Sequence, residues 1–191
     1  MGGRGSGSGG RRRAFSGFDI GSTEADFNPD SIIKANSGRH QLHSVETALE
    51  KFITMHGNDR AQEHAFTVGE DGFVYGYSHG AAPEVRPAGN LRGRIVYHNH
   101  PSGHSFSGQD LLAMAQTGAK GVVAHAVGSG SHILTVNNPR KFAKVSGEFQ
   151  RAVRNASIPK NLDYDQGVAH WLNKNSRKFG IKYTFVPLKK K

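Results

Sequence analysis

His98, His100, Ser107 and Asp110 are the residues of this chain whose types and spacing most plainly allow chemistry. The two histidines close the apolar run Ile95-Val96-Tyr97, which reads as a buried strand. On a strand, positions i and i+2 face the same side, so both imidazoles reach one point. Pro101 follows at once, keeping His100 extended and stopping the strand. Zinc accepts imidazole nitrogen and carboxylate oxygen, and a catalytic centre uses three protein ligands with the fourth position left to water. Asp110, at the start of an expected helix, can fold back as the third ligand. Ser107-Gly108-Gln109-Asp110 is also a capping-box pattern ahead of Leu111 and Leu112. The two readings coexist, because a serine at the positive end of a helix suits stabilisation of a developing oxyanion. His-x-His by itself, among eleven histidines, is a weak metal signal.

A hydrolytic centre also needs a general base to take a proton from water and pass it to the leaving group. Glu63, Glu70 and Glu84 are the upstream carboxylates available. Glu70 sits beside Asp71 in an expected hairpin tip, a place for a solvated acid. Glu84 lies in a loop flanked by prolines. Glu63 heads an alternating run and ranks first.

The elements that must position these groups follow from periodicity. Residues 44–55 form the first helix, with Ser44 as cap and Val45, Ala48, Leu49, Phe52 and Ile53 on one face. Runs 63–68 and 73–77 alternate and flank Gly69-Glu70-Asp71-Gly72, which predicts a hairpin. A Pro/Gly-containing loop covers 80–90. A helix over 108–117 ends at Gly118, and a second hairpin joins 121–127 to 132–136. Beyond Pro139 the pattern turns helical, with Phe142, Val145, Phe149 and Val153 on one side. A further helix carries Val168, Trp171, Leu172 and Phe179. The run 181–186 alternates apolar and polar residues and suits an edge strand guarded by the terminal lysines. The reading is one mixed α/β (α+β) domain over 41–138, preceded by a flexible Gly/Ser/Arg-rich tail over 1–40. A helical extension with a final edge strand and basic tail occupies 139–191.

Composition bounds the partners. The net charge of +10 belongs to the two ends. Residues 1–13 hold four arginines and 166–191 hold seven Lys/Arg, with no acid in either stretch. Such ends suit contact with nucleic acid or an acidic partner, or serve simply as solubilising tails. With no cysteine, disulfides, thiolate metal sites and thiol catalysis are excluded, and so is the cysteine-ligated zinc of nucleobase deaminases. No apolar run reaches the ~18 residues of a membrane span, and no leader pattern is visible. His104 and His125 read as an ordinary loop histidine and an ordinary strand histidine, and Trp171 as a packing anchor.

The string His98-Asn99-His100-Pro101-Ser102-Gly103, followed by Ser107-x-x-Asp110, resembles the JAMM (JAB1/MPN/Mov34) metalloprotease signature, in wording similar to its RadC-like branch. Ala61-Gln62-Glu63-His64-Ala65-Phe66-Thr67-Val68 matches the place where that family has a glutamate heading the first strand after the first helix. The likeness covers 44–136. The stretch between His100 and Ser107, Pro101 to Phe106, is one residue shorter than is usual in the family. The resemblance implies a JAB/MPN-like fold with a mixed, curved sheet flanked by helices. It further implies that His98, His100 and Asp110 bind Zn²⁺, that Glu63 is the acid/base, and that Ser107 polarises the scissile carbonyl. The expected activity is hydrolysis of a peptide or isopeptide bond in a protein or peptide substrate. The Gly/Ser/Arg start and the basic end Trp171–Lys191 are loosely similar to small proteins encoded near phage head genes, and with no span or leader the expected location is the cytoplasm of a bacterial or phage-infected host. The competing expectations are a metal-dependent nuclease or DNA-associated RadC-like protein, and a non-catalytic scaffold in a phage or mobile-element assembly.

Overall fold

A computed structural model describes residues 40–41, 50, 52–54, 56–70, 73–81, 87, 90–154, 159 and 161–188. Among the described residues seven strands form one sheet in the order β1-β3-β2-β4-β5-β6-β7. They are β1 (His40–Gln41), β2 (Gln62–Val68), β3 (Phe73–Ala81), β4 (Ile95–His100), β5 (Gly121–Ala126), β6 (Gly130–Val136) and β7 (Ile181–Pro187). Helices with both ends among the described residues are α1 (Gly108–Thr117), α2 (Pro139–Phe142), α3 (Val145–Arg154), α4 (Tyr164–Lys174) and α5 (Ser176–Phe179). Residues 50, 52–54 and 56 are also helical. The expected 44–55 helix otherwise lies outside the described residues, as do the 1–40 tail up to residue 39 and most of the 80–90 loop, Glu84 included.

The fold is mixed α/β, as the patterning predicts. β4 and β5 run parallel, and every other pairing is antiparallel. Parallel neighbours require a crossover, and α1 supplies it. β2, β4 and β5 are buried almost throughout because both faces of the sheet are covered. One face packs Val96, Phe106, Leu111, Val122, Leu134, Phe149, Trp171 and Leu172 into the larger core. The other carries Phe52, Phe66, Val74, Tyr97 and Val123.

β3 runs four residues past the expected 77, because Ser78–Ala81 pair with Gln62–Ala65. Gly80 is therefore strand, not loop. Backbone hydrogen bonds set that length, and the side chains of Ser78 to Gly80 carry no apolar alternation to announce it. The register of β2 on β3 slips by one between Thr67 and Val68, leaving Tyr75 as the extra residue. The single helix expected after Pro139 is two, broken at Ala143-Lys144. Phe142, Val145 and Phe149 are buried, but the stripe continues through Ala152 while Val153 is 49% exposed. Likewise Phe179 sits in α5, separated by Asn175 from the α4 helix that carries Val168, Trp171 and Leu172. β7 is the edge strand expected, paired to β6 across all seven of its residues. Helices α3 and α4, Phe179 of α5 and strand β7 thus share core and sheet with the strands that precede them.

Candidate metal centre

The carboxyl end of β4 is where the candidate ligands meet. His98, His100 and Val96 share the face of β4 covered by α1, since Val96 belongs to the larger core and alternation keeps 96, 98 and 100 together. Tyr97 and Asn99 face the other way. α1 begins eight residues after β4 ends, and its first turn brings Asp110 down onto the two imidazoles. His98 Nε2 lies 3.6 Å from Asp110 Oδ1, and His100 Nε2 lies 3.6 Å from Asp110 Oδ2. The two Nε2 atoms are 2.8 Å apart. All three residues are buried, and one donor atom from each lies within 4.8 Å of the others, so the group could hold a metal ion. No other such group of three occurs among the described residues.

The donor chemistry fits a metal. His100 Nδ1 faces the carbonyl oxygens of His104 at 2.8 Å and Ser105 at 3.2 Å. Carbonyls only accept, so Nδ1 carries a proton, the tautomer whose neutral ring offers its lone pair at Nε2. Burial pushes the His98 imidazole down to about 3, with His100 adding to the shift and Asp110 opposing it, so His98 is neutral near pH 7. A tetrahedral centre with ~2.0–2.1 Å ligand bonds keeps its donors ~3.3 Å apart. The 2.8 and 3.6 Å separations bracket that spacing.

Asp110 combines its two expected roles through geometry. Its Oδ2 accepts from Ser107 N at 2.6 Å and from Ser107 Oγ at 2.8 Å, while its own N–H donates to Ser107 Oγ at 3.2 Å. The reciprocal cap pins the carboxylate over the histidines instead of drawing it away, and Oδ1 points to His98. Ser107 is thereby placed at the rim of the site with its hydroxyl proton engaged by Asp110.

Glu63 lies on the neighbouring strand. β2 pairs with β4 through Ala65↔His98, so Ala65 and, two residues earlier, Glu63 share the face of the two histidines. Glu63 is buried, 6% exposed. Glu70, by contrast, makes an exposed ion pair with Lys120, remote from the histidines along β2.

Three contributors escaped the sequence reading. Asn99 is buried on the far face, where its Oδ1 accepts from His64 N at 2.6 Å and its Nδ2 donates to Asp59 O at 3.1 Å and Gln62 O at 3.0 Å. It clamps the backbone on both sides of Glu63. The only available signal was its place between the two histidines. Asp165 and Tyr164, at the start of α4, hold the 101–107 loop: Ser105 N donates to Asp165 Oδ1 at 2.7 Å and Tyr164 OH donates to Phe106 O at 2.9 Å. Nothing local in the sequence marks them. Burial raises the Tyr164 hydroxyl to about 12, with Asp110 and Asp165 adding to the shift, so it stays a donor.

The ordinary histidines behave as such. His125 Nδ1 bonds Ser131 Oγ at 2.8 Å, and the His104 side chain is exposed. Trp171 packs between Phe149 and Phe179. No protein-family model matches the chain, nor does any curated protein or solved structure. No helix among the described residues is long and apolar enough to cross a membrane.

Proposed function

We propose that the chain is a zinc-dependent hydrolase of peptide or isopeptide bonds, of the JAMM type that its His98-to-Gly103 string resembles. One observation carries the reading: two imidazole Nε2 atoms and a capped carboxylate, all from buried residues, converge at the end of a central strand. Imidazole and carboxylate without thiolate suit zinc, and three protein ligands leave a position open. Zinc bound there would polarise a carbonyl and lower the pKa of water to ~7.

The chain's own residues supply the rest. Glu63 accepts the proton of the attacking water on its carboxylate and returns it to the departing amine nitrogen. Asn99 holds the strand segment that carries Glu63. Ser107 steadies Asp110 in the resting arrangement, and rotation about its χ1 frees the hydroxyl to donate to the scissile carbonyl oxygen.

Metal analysis of the purified chain tests the reading first. We expect one zinc per chain in the parent and none in His100→Ala. Glu63→Gln should keep the zinc and lose ~10²–10⁴-fold in hydrolysis of a peptide substrate. A parent that purifies without zinc, and takes none up, would be a scaffold and not an enzyme. A Glu63→Gln variant as fast as the parent would remove Glu63 from the chemistry.

A further inference from the structure

We infer that Asp165 is a positioning residue for the metal centre, acting on His100 through one peptide group. The inference rests on the zinc-site reading above. His100 Nδ1 donates to His104 O at 2.8 Å, and Ser105 N donates to Asp165 Oδ1 at 2.7 Å. Those two backbone atoms belong to the same peptide bond. The connection is therefore continuous: Asp165 carboxylate, Ser105 N–H, His104 C=O, His100 Nδ1–H, His100 Nε2.

A carboxylate on the N–H end of a peptide draws its electrons toward the oxygen, and hydrogen bonds in such a chain strengthen one another. The His104 carbonyl becomes a better acceptor, which fixes the proton on His100 Nδ1 and makes Nε2 more basic. Histidine ligands commonly lean on a carboxylate directly for this purpose. Here a peptide stands between the two, because the carboxylate comes from a helix sixty residues after Ser105.

Two further features hold Asp165 in place. The N-cap Asp163 and Gln166 form a reciprocal capping box that sets the first turn of α4. Tyr164 OH, next to Asp165, ties down Phe106 O one residue before Ser107, the cap of Asp110's helix. The region 139–191 therefore contributes to a centre whose ligands all lie before residue 111.

An acid in the first turn of a helix is favourable for its own sake, so the test needs a readout that a merely stabilising acid does not move. The full-length chain and the variants Asp165→Ala and Asp165→Asn are compared in two measurements. One is the zinc dissociation constant by competition with a chromogenic chelator. The other is the tautomer of His100 in zinc-free protein, from ¹⁵N–¹H spectra of the imidazoles. Asp165→Ala should weaken zinc ~10–100-fold and release His100 from the Nδ1–H form. Asp165→Asn keeps an acceptor for Ser105 N–H without the charge, and should fall between parent and alanine. Unchanged zinc affinity or an unchanged tautomer in Asp165→Ala overturns the relay. If alanine prevents folding, Asp165→Asn decides, and parent-like values in both measurements overturn it. A parent that binds no zinc sinks the zinc reading instead, and the tautomer comparison then judges the relay alone.

Discussion

Asn99 shows how much one side chain can carry. Its amide replaces a stretch of the β2–β4 ladder, whose last backbone pair is Ala65↔His98, with three side-chain bonds to Asp59, Gln62 and His64. Asn99→Ala leaves those backbone groups without partners and should cost about 2–4 kcal/mol, read from denaturant unfolding of zinc-free protein. Because it faces away from the histidines, its loss should leave zinc affinity near the parent's while lowering turnover through Glu63. Equal turnover in the variant would detach Glu63 from this clamp. The contrast with His98 is instructive: one residue away on the same strand, it faces His100 and Asp110 and is kept neutral by burial.

At the scale of elements, the start of α1 is both a helix cap and a ligand mount. Ser107→Ala removes the hydroxyl that accepts from Asp110 N and donates to Asp110 Oδ2. We expect a loss of about 1 kcal/mol in stability together with weaker zinc binding, measured by thermal melting and chelator competition on one sample. A melting shift with zinc affinity untouched would show that the cap does not steady the ligand. The β6–β7 pairing has its own narrow point. A Cβ on Gly130 would meet Val186 O at 2.4 Å, closer than any side chain can sit. Gly130→Ala should therefore push the edge strand from β6 and destabilise the fold by about 1–3 kcal/mol, seen as faster amide exchange along 181–187.

For the molecule as a whole, buried neutral histidines couple the fold to pH. Burial is the main cause that lowers His56 and His132 from 6.5 to about 4 and His98 to about 3. Below about 6.5 the unfolded chain takes up protons that the folded one refuses, so stability is full above that pH and falls as pH drops toward 4. Each histidine should remove about 1–2 kcal/mol between pH 7 and pH 5. Denaturant midpoints of zinc-free protein at the two pH values check it, and equal midpoints would mean these histidines are charged in the fold. The same scale explains why α3, α4 and α5 belong to the body: Phe149, Val168, Trp171 and Phe179 fill one core with Val96, Leu111 and Leu134.

Local chemistry announced itself in the sequence. Alternation placed His98 and His100 on one face of β4, the Ser107-x-x-Asp110 spacing marked the start of α1, and Gly118 marked its end, where the backbone takes a φ of 71°. Each depends on neighbours within a few residues, where strand and helix periods act directly. Tertiary structure alone decided that Asp110's cap would aim its carboxylate at the imidazoles, that Asn99 would bracket Glu63, and that Asp165 would reach the loop behind His100. Those contacts join segments 12, 35 to 40 and 60 residues apart. They form because the sheet order sets β2 beside β4 and the larger core draws α4 onto the same face, and no period along the chain encodes either event.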